Sequence, residues 1–179
     1  MAKRPKLNRR PDTPIEQELG SVEVALTPPE RFEEYLQSKG KRNTPQRRYM
    51  VTHVFNQHEH FDADTLIDQL PRKNEPNYIS RPTVYRTLAE LVESGLLRKF
   101  ELEGRAVYEH DYGYPQHDHL HCEKCGELFE FHNEDIAELC QNIAQKNNFR
   151  MQSHRLLISG ICSKCNQPRQ RRRSRLDRI

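Results

Sequence analysis

Between residues 28 and 95 the apolar positions recur at helical spacing in four separate stretches, bounded by capping residues or breakers. Phe32, Tyr35 and Leu36 share one side of a helix expected over Pro28 to Ser38, and Gly40 supplies its left-handed stop. Thr44 caps a second helix that has Pro45 at its first position and Met50, Val51, Val54 and Phe55 on one side. Asp62 caps a third, in which Ala63, Leu66, Ile67 and Leu70 form the stripe before Pro71 stops it. Ser80 caps a fourth, with Pro82 in its first turn, Val84, Leu88, Leu91 and Val92 turned inward, and Gly95 at its end. The period then changes from helical to two: residues 96–102 and 105–108 alternate on either side of Gly104, the pattern of a hairpin. Short helix, turn, amphipathic helix and hairpin is the order of a winged helix-turn-helix domain.

The second half changes character. Leu120 to Cys122 and Glu127 to Phe131 are expected as strands, and Asn133 caps a helix whose one face carries Ile136, Leu139, Cys140 and Ile143. Residues 149–161 alternate as one long strand. Cys140, on the apolar face of its helix, is expected to be a buried small hydrophobe. The fold class that follows is α+β: a winged-helix domain over 28–109, then a small α/β domain over 110–166. Residues 1–27, with Pro5, Pro11 and Pro14 and no sustained periodicity, form a flexible arm, and 167–179 a basic, disordered tail.

Cysteine placement adds chemistry to the small domain. Two C-x-x-C knuckles, Cys122 with Cys125 and Cys162 with Cys165, give the four thiolates of a closed tetrahedral zinc site, and Gly126 turns the chain after the first. A unit of this size has little core of its own, so zinc supplies the missing stabilisation. His117, Asp118, His119 and His121 lie beside the first knuckle. From spacing alone they are either strand residues facing solvent or ligands of a second metal. With five cysteines, no secretory apolar region and no run long enough to cross a membrane, the chain is placed in a reducing cytoplasm, where thiols bind metal.

Charge separates the halves further. The chain has 29 Lys and Arg against 26 Asp and Glu, a formal +3, but eleven of those cations lie in residues 1–10 and 169–179. The stretch between is therefore net acidic, and polyanion binding belongs to the first half and the tails. The tails are either solubilising ends or loose, non-specific phosphate contacts. With Val84, Leu88 and Leu91 inward, Thr83, Tyr85 and Arg86 face out near the N-terminal end of the fourth helix, the end that enters a major groove. Arg47 and Arg48, with Lys41 and Arg42 before them, are candidate phosphate clamps. A winged helix that binds protein instead of DNA is the competing reading.

Taken in order, TPQR at 44–47, the loop histidine His60, RPTVYRTLAELVESGLL at 81–97, HDHLHCEKCG at 117–126, the EFH that follows and CSKC at 162–165 resemble the ferric uptake regulator family. The resemblance covers residues 28–166. It implies a homodimeric, metal-dependent repressor of double-stranded DNA operators, iron-responsive, with no enzymatic activity. It implies structural zinc on Cys122, Cys125, Cys162 and Cys165. It also implies a regulatory Fe(II) or Mn(II) at the domain hinge, on His60, Glu109, His117, His119 and Glu130, a donor set suited to a borderline or hard ion. His110 and Asp111 compete with Glu109, which is preferred because it continues the 106–108 strand pattern. A second regulatory site in the family matches only Asp118 and His154. Gln116 and Ala137 stand where a histidine and a glutamate are expected, with Glu138 one position off, so that site is expected to be weak or absent. Peroxide-, manganese- or zinc-sensing members of the same family are the nearest alternatives. A metal-dependent hydrolase built on the histidine run is a remote one, because the fourth helix and the wing have no role in it. A zinc-stapled protein-interaction module is a third.

Overall fold

The 179-residue chain is described here from a computed structural model over residues 22–57 and 60–167. The expected tail from 168 onward, and the expected N-terminal arm before residue 22, lie outside the described residues. The chain divides into two compact units, one ending at Gln116 and the other beginning at His117.

The first unit holds helices α1 (Pro28–Ser38), α2 (Pro45–Phe55), α3 (Ala63–Gln69) and α4 (Arg81–Glu93), with strands β1 (Phe61–Asp62), β2 (Leu97–Leu102) and β3 (Arg105–His110). The helices start where the caps predict. Thr44 Oγ1 accepts the Arg47 amide at 3.3 Å and Asp62 Oδ1 accepts the Thr65 amide at 2.7 Å, each satisfying an amide the first turn leaves open. Ser80 caps differently: its hydroxyl pairs with that of Thr83 at 2.9 Å, and no side-chain bond to the first-turn amides forms. Phe32, Leu36, Met50, Val84, Leu88 and Leu91 are fully enclosed and make the core.

The wing is a two-residue hairpin, since Leu102 pairs with Arg105. Glu103 and Gly104 both take left-handed backbone, φ 50° and 74°, as a turn matched to the strand twist requires. β1 was not apparent in the sequence. It adds Phe61 and Asp62 antiparallel to Tyr108 and Val107, giving the strand order β1-β3-β2. Two residues are too few to show a period. β3 runs on to His110, so Glu109 is a strand residue.

The second unit contains β4 (Asp118–Cys122), β5 (Leu128–Phe131), α5 (Glu134–Lys146), β6 (Leu157–Gly160) and α6 (Ser163–Asn166), a single turn that carries the second knuckle. The order is β5-β4-β6, antiparallel between β4 and β5 and parallel between β4 and β6. The expected long strand over 149–161 is corrected to Leu157–Gly160. The ladder ends because the Leu156 amide donates to Asp118 Oδ1 at 2.8 Å, taking it out of strand pairing. The expected burial of Cys140 on α5 is also corrected: it is only half-buried, and Leu139 and Ile143 on the same apolar face are 59% and 54% exposed. Nothing among the described residues of the unit covers that face. No helix among the described residues is long and apolar enough to cross a membrane.

Leu88 has no exposed surface. Leu88→Ala is expected to destabilise the first unit by about 3 kcal/mol, the range for a cavity of that size in a closed core. Denaturant unfolding of the full chain measures it, and a loss under about 1 kcal/mol would contradict this packing.

Candidate metal centres and nucleic-acid interface

β4 ends on Cys122, the turn into β5 carries Cys125, and the chain leaving β6 brings Cys162 and Cys165 to the same place. The four sulfurs lie within 4.8 Å of one another, and all four are free thiols. Cys125 Sγ is 3.8 Å from Cys162 Sγ. A tetrahedron with Zn–S bonds of about 2.3 Å has edges of about 3.8 Å, whereas a disulfide needs about 2.05 Å. The cluster is therefore suited to a structural zinc ion. The backbone is arranged for thiolates as well: the Cys162 amide donates to Cys122 Sγ at 3.3 Å. Burial pushes the Cys122 thiol up, but amides from Cys162, Cys125 and Lys124 outweigh it and hold the group down at about 6. Burial pushes Cys125 and Cys165 up as well, and neighbouring thiols add to it, so both stay above the ordinary value. The amides thus favour the thiolate form of Cys122, the form in which a cysteine binds metal. Because the Cys122 value is depressed, the stability its thiolate contributes is complete above its ordinary value of 9.0 and is lost as pH falls through about 6. Lys124 Nζ donates to the Cys165 carbonyl at 2.7 Å, tying the two knuckles together.

The histidines fall in both units. In the first unit His60 and Glu109 are both buried, with His60 Nε2 3.2 Å from Glu109 Oε2. The neighbours that competed with Glu109 have other partners: His110 Nε2 lies 3.1 Å from the Val54 carbonyl with its ring stacked on Phe55, and Arg98 donates to Asp111 at 2.5 Å. In the second unit His117 precedes β4 and His119 lies within it, so the two fall on one face. Their ring centroids are 4.8 Å apart. Glu130 is the cross-strand partner of His119 on β5, and its Oε1 lies 3.9 Å from His117 Nε2. Imidazole and carboxylate groups buried in this way suit a divalent cation, which compensates the cost of removing them from water.

Asp118 falls on the opposite face. Its Oδ2 is 3.3 Å from His154 Nε2 while Oδ1 accepts the Leu156 amide. The residues proposed for a second regulatory site thus bond each other, and Ala137 brings no donor to them.

The candidate nucleic-acid face lies in the first unit. Tyr85 and Arg86 are exposed on α4 and Thr83 is half-exposed. A cavity of about 550 Å³ opens between the N-termini of α2 and α4, lined by Lys41, Arg42, Thr44, Arg47, Thr83 and Arg86 among others. Arg47 is not an open clamp, because its side chain is only 17% exposed and is held by Glu90 at 2.9 Å and by the Arg42 carbonyl at 2.8 Å. Glu90 and Arg81, which Asp64 ties to α3, escaped the sequence reading. For Glu90 the signal was there: a carboxylate flanks the apolar stripe of Val84, Thr87, Leu88 and Leu91.

A winged-helix unit joined to a thiolate-stapled α/β unit defines a metal-binding regulator. The chain belongs to the ferric uptake regulator family, whose match spans residues 38–159. The ferric uptake regulation protein of Neisseria gonorrhoeae is 39% identical over 121 residues, 66% of this chain and 82% of that one. The peroxide operon regulator of Bacillus subtilis is 35% identical over 134 residues, 75% and 90% of the two chains. Among solved structures, the ferric uptake regulator of Vibrio cholerae, described through a rearrangement of its DNA-binding domains, superposes with a TM-score of 0.60 at 31% identity, covering 73% of this chain and 98% of that one. The family is one of transcription regulators and not of enzymes, so the hydrolase reading falls away.

Cys165→Ser is expected to remove the bound zinc equivalent and the helicity of α5 while leaving the first unit folded. Metal analysis together with far-ultraviolet circular dichroism tests this; full retention of zinc in the variant would refute the four-sulfur site.

Proposed function

We propose that this chain is a cytoplasmic, homodimeric, metal-dependent repressor that binds double-stranded operator DNA, with Fe(II) or Mn(II) as the regulatory ion. The observation that carries this reading is the pair of incomplete donor sets. The winged-helix unit buries His60 with Glu109, and the other unit presents His117, His119 and Glu130. Neither set alone fills a coordination sphere. A divalent ion taking ligands from both supplies the link that restricts how the units are oriented. His60 and Glu109 then report metal to the helix that meets DNA, and free energy of binding becomes a bias toward one geometry. In this scheme residues 28–109 bind DNA through Thr83, Tyr85 and Arg86, Arg47 braces the loop before α2, and residues 110–166 dimerise. Leu139, Ile143, Phe149, Ile158 and Ile161, all exposed, form the face that a second copy covers.

A peroxide-responsive variant of the same mechanism is the second reading. It is favoured by Gln116 and Ala137, which stand where a second site needs a histidine and a glutamate and leave Asp118 and His154 as its matching donors.

The test is DNA retention with Fe(II), Mn(II) or Zn(II), on a duplex enriched from a random-sequence pool by the metal-loaded protein. His60→Ala and His119→Ala are expected to weaken the metal response by roughly a hundredfold, the upper range for perturbing even an outer-shell partner. His154→Ala is expected to keep it. If chelator-treated protein that retains its zinc binds the duplex as tightly as metal-loaded protein, the mechanism is wrong. Addition of one oxygen atom to a His117 or His119 peptide after Fe(II) and peroxide would select the second reading. For the dimer, Ile143→Glu is expected to shift the protein to monomer in sedimentation equilibrium, and an unchanged dimer would place the interface elsewhere.

A further inference from the structure

A carboxylate buried in a helix that faces a polyanion is out of place on two counts: it loses hydration, and it repels phosphate. Glu90 is such a group, on α4 and 7% exposed. Its charge is answered from another element. Lys41 Nζ donates to Oε1 at 2.9 Å, and Arg47 reaches Oε1 at 3.1 Å and Oε2 at 2.9 Å. Arg47 continues the chain of contacts, since its other terminal nitrogen donates to the Arg42 carbonyl at 2.8 Å. The series runs from α4 through the first turn of α2 to the 41–43 loop. Lys41 and Arg42, the ends of that series, line the cavity at the two helix N-termini together with Ser80, Thr83 and Arg86 from the α4 side.

We propose that Glu90 is a positioning residue for DNA recognition: it fixes the basic loop Lys41–Arg42 against α4 so that loop and helix present one rigid, phosphate-binding surface. This rests on the reading of the protein as a DNA-binding regulator. Two effects of the carboxylate compete, repulsion of phosphate and ordering of cations. The first is cancelled locally, because two cations within about 3 Å leave the group of three with a net positive charge. The second persists, since without Glu90 the Arg47 guanidinium loses its acceptor on α4 and the loop is held only by α1, through the Lys41 amide on the Leu36 carbonyl, and by α2. Pre-ordering of this kind raises affinity for the one DNA geometry that matches it and contributes nothing to loose association.

Glu90→Gln keeps the shape and removes the charge, and its test uses the full-length, metal-loaded protein. Binding is measured across a salt series, on the duplex enriched from a random pool by the wild-type protein and on a scrambled duplex of the same composition. The enriched duplex is expected to bind about tenfold more weakly, mid-range for groups coupled in one ion-pair network, while the scrambled duplex binds as well as before or better. The salt slope for the enriched duplex becomes shallower by about one as an ordered phosphate contact is lost. Glu90→Gln combined with Arg47→Gln is expected to bind no more weakly than the poorer single variant. Equal tightening on both duplexes would make Glu90 only an unfavourable charge. Equal weakening on both, accompanied by a lower melting temperature, would make it a fold staple. Additive losses in the double variant would break the proposed chain. Each of these outcomes overturns the proposal. If wild-type protein enriches no duplex, the DNA-binding reading itself fails, a result distinct from any effect at position 90.

Discussion

Four sulfur atoms occupy a volume that they can share, once ionised, only around a cation, and the second unit depends on that constraint. Besides the Cys122 sulfur, the apolar side chains it buries among the described residues are Leu128 and Ala144. Most of what else it buries is polar: His117, Asp118, His119, His121 and Glu127. Burial of three small or medium side chains contributes a few kcal/mol at about 25 cal/mol per Å², far below the conformational entropy of ordering a sheet and a helix. The first unit has the opposite composition, with a closed core running from Phe32 to Tyr108, and needs no metal to hold its shape. The protein therefore joins a unit folded by apolar burial to one folded by metal coordination and by whatever covers its exposed apolar face.

Much of this was legible in the sequence because the signals are local. Caps and breakers lie within a turn of the helices they bound, as at Thr44 and Asp62, and a cysteine pair two residues apart marks its knuckle without any knowledge of the fold. What escaped depends on partners far along the chain. β1 is a strand only because Phe61 and Asp62 meet Tyr108 and Val107. The alternation over 149–161 was real as a pattern, but a strand requires a ladder, and the Leu156 amide found the Asp118 carboxylate instead. The α5 stripe of Leu139 and Ile143 was recognised as apolar, yet sequence does not say whether such a stripe is covered by its own chain.

The candidate sites divide along the same line. Knuckle cysteines declare themselves by spacing, whereas His60 and Glu109 are 49 residues apart and become a pair only when β3 is laid down. The resemblance leaves His110 and Asp111 as competitors of Glu109, which is preferred because it continues the 106–108 strand pattern. The geometry supplies a physical reason to separate them: the Val54 carbonyl takes His110, Arg98 takes Asp111, and the alternation of β3 turns Glu109 toward His60. Arg47 shows the converse. By type it is a phosphate clamp, but Glu90, a carboxylate beside the apolar stripe of α4, engages it from 43 residues away.

β4 draws these threads together, because its alternation assigns neighbouring residues to unrelated tasks. His117 and His119 share one face, and Asp118 turns to the other, where it holds the Leu156 amide and faces His154. A slip of one residue in pairing would exchange the faces, placing Asp118 among the donors and the imidazoles against the 154–156 segment. Register is set at the strand's end. Cys122 pairs with Gly160, two residues before Cys162, and Cys125 lies in the turn into β5, so coordination of all four sulfurs locks β4 against both neighbours at once. The structural cluster thereby decides which side chains of HDH are available as donors, although it contributes no ligand to them. A protein whose histidine face is specified by so small an apolar core has the regulatory chemistry proposed for that face conditional on its staple.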